Sequence, residues 1–128
     1  MISINNIDHL VLTVASIEAT CLWYQRILNV HITTFADNRK ALVFGSNKIN
    51  LHEAGKEFEP KARQPTCGSG DFCLISTTPM DQIIQHLNDQ NIDIEIGPAK
   101  KTGATGQLIS VYIRDPDGNL VELSNLIN

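Results

Sequence analysis

Long apolar runs are missing from this chain of 128 residues. None approaches the roughly 20 residues that cross a bilayer, so no membrane-spanning helix is expected. Cysteine is scarce: Cys21, Cys67 and Cys73 are odd in number and too dispersed for a CxxC site or a disulfide framework. Free thiols in a reducing, cytoplasmic setting fit that pattern, with Cys21 and Cys73 read as small core residues. Neither charge dominates, and a net charge of -4 gives no basis for a nucleic-acid or anionic-membrane partner. Residues 1–6 lack the basic region and apolar core of a signal peptide. The few aromatic residues offer no obvious stacking platform, and the glycines between Thr102 and Gly106 lack the order of a phosphate-binding P-loop. What is present is ordinary for a globular chain, 42% hydrophobic and 19% charged, and long enough to bury a core without staples.

Residues 7–14, IDHLVLTV, are aliphatic and β-branched and short enough for a strand. Alternation sets His9, Val11 and Thr13 against Leu10, Leu12 and Val14. Ser16 suits a helix N-cap, Glu18 suits the first turn, and Asn29 suits a left-handed stop. With Ile17, Cys21, Tyr24 and Leu28 at helical spacing, this predicts a helix over 16–28. Three short strands follow, at about 30–35, 41–44 and 48–53, joined by turn-forming residues. Residues 54–70, with Pro60, Pro65, Gly68 and Gly70, read as a long irregular segment.

The pattern then starts again. A strand over 71–76 leads to a helix with Thr78 as N-cap, Pro79 at its first position and an apolar stripe of Met80, Ile83, Ile84 and Leu87. Strands are expected at 92–96, 107–114 and 119–124, with a glycine-rich loop over 100–106. Strand, helix and three strands, met twice, predict an α+β fold of two βαβββ modules. These would form a curved, cup-like, eight-stranded mixed sheet in one domain over 1–128: module 1 about 4–54, linker 55–70, module 2 about 71–126.

Near the C-terminus, Asp115-Pro116-Asp117-Gly118 is a turn with a mechanism, since proline presets φ and glycine supplies a positive one. The strand after it carries Glu122 between Val121 and Leu123, where a carboxylate either faces solvent on an edge or needs a partner. Other strands hold similar polar positions: His9 in the first, Asn50 and His52 in the fourth, Asp71 at the head of the fifth. Imidazole and carboxylate together are the ligand set of Mn²⁺, Fe²⁺, Co²⁺, Ni²⁺ or Zn²⁺, and ligands from distant strands leave coordination positions open for substrate. His9 is otherwise a core histidine, His52 a solvated strand end and Asp71 a turn residue. His31 and His86 read as surface residues.

The segments IDHLVLTVASIEATCLWYQRILN, GDFCLIS and YIRDPDGNLVEL resemble the recurring pieces of the vicinal oxygen chelate superfamily of glyoxalases, bleomycin and fosfomycin resistance proteins and extradiol dioxygenases. INLHEAGKEFEPKA and TGATG further resemble a subgroup of short glyoxalase-domain proteins of unassigned substrate. The resemblance implies metal ligands at His9 and Glu122, at Asp71 where many members have histidine, and at a fourth position falling on Asn50 or on His52 two residues along. It also implies a homodimer in which His9 of one chain meets Glu122 of the other. Two departures stand out: Asn50 replaces the acidic residue of glyoxalase I, and Thr13 replaces an arginine found in some bacterial members.

The implied function is a metal-dependent small-molecule enzyme of lyase or isomerase type, chelating vicinal substrate oxygens on a divalent ion, with Glu122 as ligand and possible base. Arg39, Arg63 and Lys101 are loop candidates for holding an anionic substrate group. The alternatives are a drug- or metabolite-binding resistance protein without chemistry, and an Fe(II) extradiol-type dioxygenase.

Overall fold

Ser16 opens the first helix as its chemistry predicts: its Oγ accepts a hydrogen bond from Ala19 N at 3.1 Å. In the computed structural model, which describes residues 1–127, helix α1 (Ile17–Leu28) ends at Asn29 with φ 53°, the left-handed stop. The chain divides into two units, Met1–Cys67 and Gly68–Asn128.

The first unit is a βαβββ module. Strands β1 (His9–Val14), β2 (His31–Phe35), β3 (Arg39–Phe44) and β4 (Asn47–Glu53) form a sheet in the order β1-β4-β3-β2. β1 runs parallel to β4, and the other pairs are antiparallel. One face of this sheet carries Leu12, Val14, Leu42, Ile49 and Leu51, all buried, as are Tyr24 and Ile27 of α1. Each such side chain contributes roughly 1.5–3 kcal/mol on leaving water. Glu53 fixes the helix over that face, its Oε1 accepting from Ile17 N at 3.1 Å.

The second unit repeats the plan. Strands β5 (Asp71–Ile75), β6 (Ile96–Thr102), β7 (Gln107–Arg114) and β8 (Leu120–Ile127) form a second sheet, β5-β8-β7-β6, again with the first and last strands parallel. Val111, Ile113, Val121 and Leu123 are buried, together with Ile83 and Leu87 of α2 (Met80–Asp89). The fold is thus α+β, with eight strands hydrogen-bonded as two mixed sheets of four and one helix in each module.

Three local readings change. Helix α2 starts at Met80 with Pro79 as its N-cap and no side-chain cap. Thr78 does not cap it; instead its N–H donates to Ser76 Oγ at 3.0 Å, and Asn125 Nδ2 donates to the carbonyls of Ser76 and Thr78. The strand expected over 92–96 lies at Ile96–Thr102 instead, and takes up the first three residues of the expected glycine-rich loop. Gly97 and Pro98 suggest a break, yet β6 is an edge strand with an irregular register there, where a residue without N–H costs the sheet nothing. Cys73 is exposed rather than in the core, and its Sγ lies 3.1 Å from Ser124 Oγ.

The Asp115–Asn119 turn holds the second module's start to its end. Asp115 is buried, and its Oδ1 accepts from the N–H groups of Asp117 and Asn119 at 3.0 and 2.9 Å. Its Oδ2 accepts from Asn119 Nδ2 at 2.8 Å, and Asn119 Oδ1 in turn accepts from Gly70 N at 2.7 Å. Gly68 lies so close that an added Cβ would stand 2.6 Å from the Asp117 carbonyl oxygen. No helix among the described residues is long and apolar enough to cross a membrane.

Candidate functional site

Each sheet has a face opposite its helix, and the candidate residues lie on those faces. In the first module the register sets His9 beside Lys48, Val11 beside Asn50 and Thr13 beside His52. β3 adds Ala41 opposite Asn50, and Arg39 heads that strand on the same face. Arg39 is therefore a strand residue, half-buried, and not a solvated loop residue.

His9 is exposed, and its Nδ1 donates to Asp8 Oδ1 at 2.8 Å. In the neutral ring that bond places the proton on Nδ1 and the lone pair on Nε2, the arrangement a metal-binding histidine needs. Lys48, its neighbour across the strands, stands 4.0 Å over the Phe35 ring, where cation–π attraction holds its charge.

His52 is in a different setting. It is 2% exposed, and Arg39 Nη2 donates to its Nε2 at 3.1 Å. Because a guanidinium only donates, Nε2 must accept, so the proton of the neutral ring sits on Nδ1. Burial, and after it the charge of Arg39, lowers the His52 pKa below the usual histidine value and keeps the ring neutral. Phe58, from the irregular segment after β4, lies over the pair: its ring is 4.5 Å from the Arg39 guanidinium and 5.7 Å from the imidazole. Phe35 meets the same guanidinium at 5.3 Å. On this face three buried polar atoms have no hydrogen-bond partner: Arg39 Nε, Asn50 Oδ1 and His52 Nδ1. Each costs about 1–3 kcal/mol as long as it stays unpaired.

The corresponding face of the second module carries Asp71 and Cys73 on β5, Glu122 and Ser124 on β8, and Tyr112 and Ser110 on β7. Here the polar groups form a chain. Ser110 Oγ is 2.6 Å from Ser124 Oγ, and Ser124 Oγ reaches Glu122 Oε2 at 3.4 Å. Tyr112 stands opposite Glu122 in the β7–β8 register. Burial first, and the Glu122 carboxylate second, push the tyrosine pKa above its usual value. Burial likewise raises the Cys73 thiol, so it is not an activated nucleophile. Glu122 is half-buried on β8, which lies between β5 and β7, and so is not on an edge strand. Asp71 is exposed at the head of β5.

Among the described residues no three His, Cys, Asp or Glu side chains gather as they would around a metal ion. Arg63 and Lys101 are exposed, Lys101 lying 5.5 Å from the Tyr112 ring centre, and His31 and His86 are surface residues as expected. Sequence reasoning missed Tyr112, Ser110, Asp8 and Phe58. For the first two a signal exists: polar tips at every second position of an otherwise apolar β7. Phe58 has none, because its segment lacks periodicity.

Comparison with known proteins identifies the family and several relatives. A family model described as the Glyoxalase/Bleomycin resistance protein/Dioxygenase superfamily matches residues 6–123. Virulence protein STM3117 of Salmonella typhimurium is 51% identical over 97% of this chain and 86% of its own length. Its crystal structure superposes with a TM-score of 0.96, over 98% of this chain and 100% of that one. The glyoxalase domain-containing protein RDO1 of Mycosarcoma maydis is 46% identical over 97% of this chain and 70% of its own. A fosfomycin resistance protein from Listeria monocytogenes, solved with Mn(II) and sulfate, is 17% identical with a TM-score of 0.67 over 98% of this chain and 93% of that one, a likeness of fold alone.

Proposed function

The chain belongs to the glyoxalase/bleomycin resistance protein/dioxygenase superfamily, and from that premise we propose that it is a metal-dependent enzyme of lyase or isomerase type acting on a small molecule with two adjacent oxygens. The observation that carries the reading is a donor on the first strand of one module and another on the last strand of the second. His9 on β1 is exposed with Nδ1 tied to Asp8, and Glu122 on β8 presents a half-buried carboxylate opposite Tyr112. Imidazole and carboxylate suit Mn²⁺, Fe²⁺, Co²⁺, Ni²⁺ or Zn²⁺. Asp71, exposed two residues before Cys73 on the strand beside Glu122, is the third proposed ligand.

When bound, a divalent ion would supply Lewis acidity to chelated oxygens and lower the pKa of a neighbouring C–H or O–H. The protein's own part follows from the donors around it. Glu122 would both hold the ion and take the proton, with Tyr112 opposite it across the strands. Asp8 keeps His9 in the ligating tautomer. His52 drops out of the ligand set in this proposal: Nε2 is occupied, Nδ1 carries a proton, and the Arg39 charge opposes a second cation.

The proposal includes a second copy of the chain, His9 of one meeting Glu122 of the other, as the family resemblance implies. Metal titration of the purified protein tests this. About one divalent ion per chain is expected, with binding at least tenfold weaker in His9→Ala and in Glu122→Gln, and lost together with the dimer on dilution. A chain that takes up no divalent ion at all overturns the proposal. The second reading, a ligand-binding protein without chemistry, is favoured by the unpaired polar atoms around His52.

A further inference from the structure

A half-buried guanidinium ordinarily finds a carboxylate. Arg39 has none: its contacts are two aromatic rings and the lone pair of a neutral histidine, and no ion pair engages it among the described residues. The two glutamates whose charge reaches His52 have partners of their own. Glu57 Oε2 accepts from Gly55 N at 2.8 Å, and Glu59 pairs with Lys61 at 3.2 Å. A positive charge removed from water without a counter-charge is costly, as is each unused N–H beside it.

The unused groups have a definite chemistry. Arg39 Nε–H and His52 Nδ1–H are donors, and Asn50 Oδ1 is an acceptor; Asn50 and His52 are 6% and 2% exposed. Asn50 and His52 stand two residues apart on β4, on one face and roughly 7 Å apart along the strand. Two donors and a guanidinium charge call for an oxyanion, and the acceptor calls for an O–H beside it. Among the described residues none is hydrogen-bonded to these three atoms.

We infer that Arg39, His52 and Asn50 form a binding subsite for the carboxylate of a small 2-hydroxy acid, closed over in the free protein by Phe58. The carboxylate accepts from Arg39 Nε and His52 Nδ1, and the neighbouring hydroxyl donates to Asn50 Oδ1. Phe58 is the group that moves to admit it. The ring sits on the irregular segment following β4, whose residues 59–64 are exposed, and no hydrogen bond of its side chain holds it there. The subsite lies wholly in the first module and does not depend on the metal.

Titration of the full-length protein with sodium glycolate tests this, in EDTA and at constant ionic strength, reading the NMR signals of the His52 ring and the Arg39 Nε–H. Saturable shifts of both are expected with a dissociation constant on the order of millimolar, and tighter binding than acetate shows. Arg39→Gln should weaken glycolate at least tenfold. Asn50→Asp, nearly isosteric and anionic, should do the same and keeps the test alive if Arg39→Gln fails to fold. Because EDTA removes metal throughout, failure here leaves the metal proposal untouched, and failure of metal binding leaves this one standing. The inference is overturned if glycolate produces no saturable shift in the folded wild-type protein, or if Asn50→Asp binds it as tightly as wild type.

Discussion

The two modules share a strand order, a parallel first–last pair and one helix, yet they use the faces away from their helices in opposite ways. In the second module the polar groups satisfy one another, from Ser110 through Ser124 to Glu122 and Tyr112. The first module leaves Arg39 Nε, Asn50 Oδ1 and His52 Nδ1 unpaired in a buried setting. A satisfied network fixes a carboxylate in place; an unsatisfied one keeps bonding capacity in reserve for something else. One fold, used twice, thus separates the task of positioning from the task of recognition.

The modules also differ in how they close their last hairpin, and the largest stability effect should come from that difference. The β3–β4 turn needs only Gly45, at φ 54°, and Ser46, whereas β7–β8 is closed by five residues around the buried Asp115 carboxylate. Asp115→Ala leaves two backbone N–H groups and the Asn119 amide without their acceptor, and should cost about 3 kcal/mol in urea unfolding. Ser46→Ala, at the matching hairpin, should change stability by less than ~0.5 kcal/mol. Equal effects at the two turns would mean that the carboxylate is not what holds the second one.

Much of this architecture is legible before any coordinates. The alternation of β1 and β4 assigns Leu12, Ile49 and Leu51 to one face and His9, Asn50 and His52 to the other, because strand geometry is local. Ser16 and Asn29 mark α1 for the same reason. What is not legible depends on neighbours distant in sequence. The strand expected over 92–96 lies at Ile96–Thr102, an edge position that its own spacing does not reveal. Arg39 reads as a solvated loop residue until Phe58 is seen lying on it. The placing of Tyr112 opposite Glu122 follows from a cross-strand register that no spacing reveals.

A smaller effect separates the helix starts. Ser16 caps α1 through a side-chain bond, whereas α2 begins at Pro79 without one and relies on Asn125 to anchor the chain before it. Ser16→Ala should therefore cost about 1 kcal/mol. Thr78→Ala, which the sequence alone would rank as the equivalent loss, should stay within about 0.5 kcal/mol. Matched denaturation curves decide between a cap that acts and a residue that merely occupies the place of one.

The smallest effect is a slope. Burial and Arg39 hold the His52 pKa below its ordinary value of about 6.5, against the weaker pull of Glu57 and Glu59 and with a minor push from Lys61. The unfolded chain therefore binds a proton near pH 6.5 that the folded chain refuses, and stability falls as pH drops below that point until the folded ring also titrates. The slope from this one group cannot exceed about 1.4 kcal/mol per pH unit. Comparing urea midpoints of wild type and His52→Gln between pH 7 and pH 5 isolates it, since glutamine can still accept from Arg39 but takes up no proton. The wild-type curve should fall more steeply; parallel curves would mean that Arg39 and Phe58 do not keep the ring neutral, and the contrast between the two modules would lose its electrostatic half.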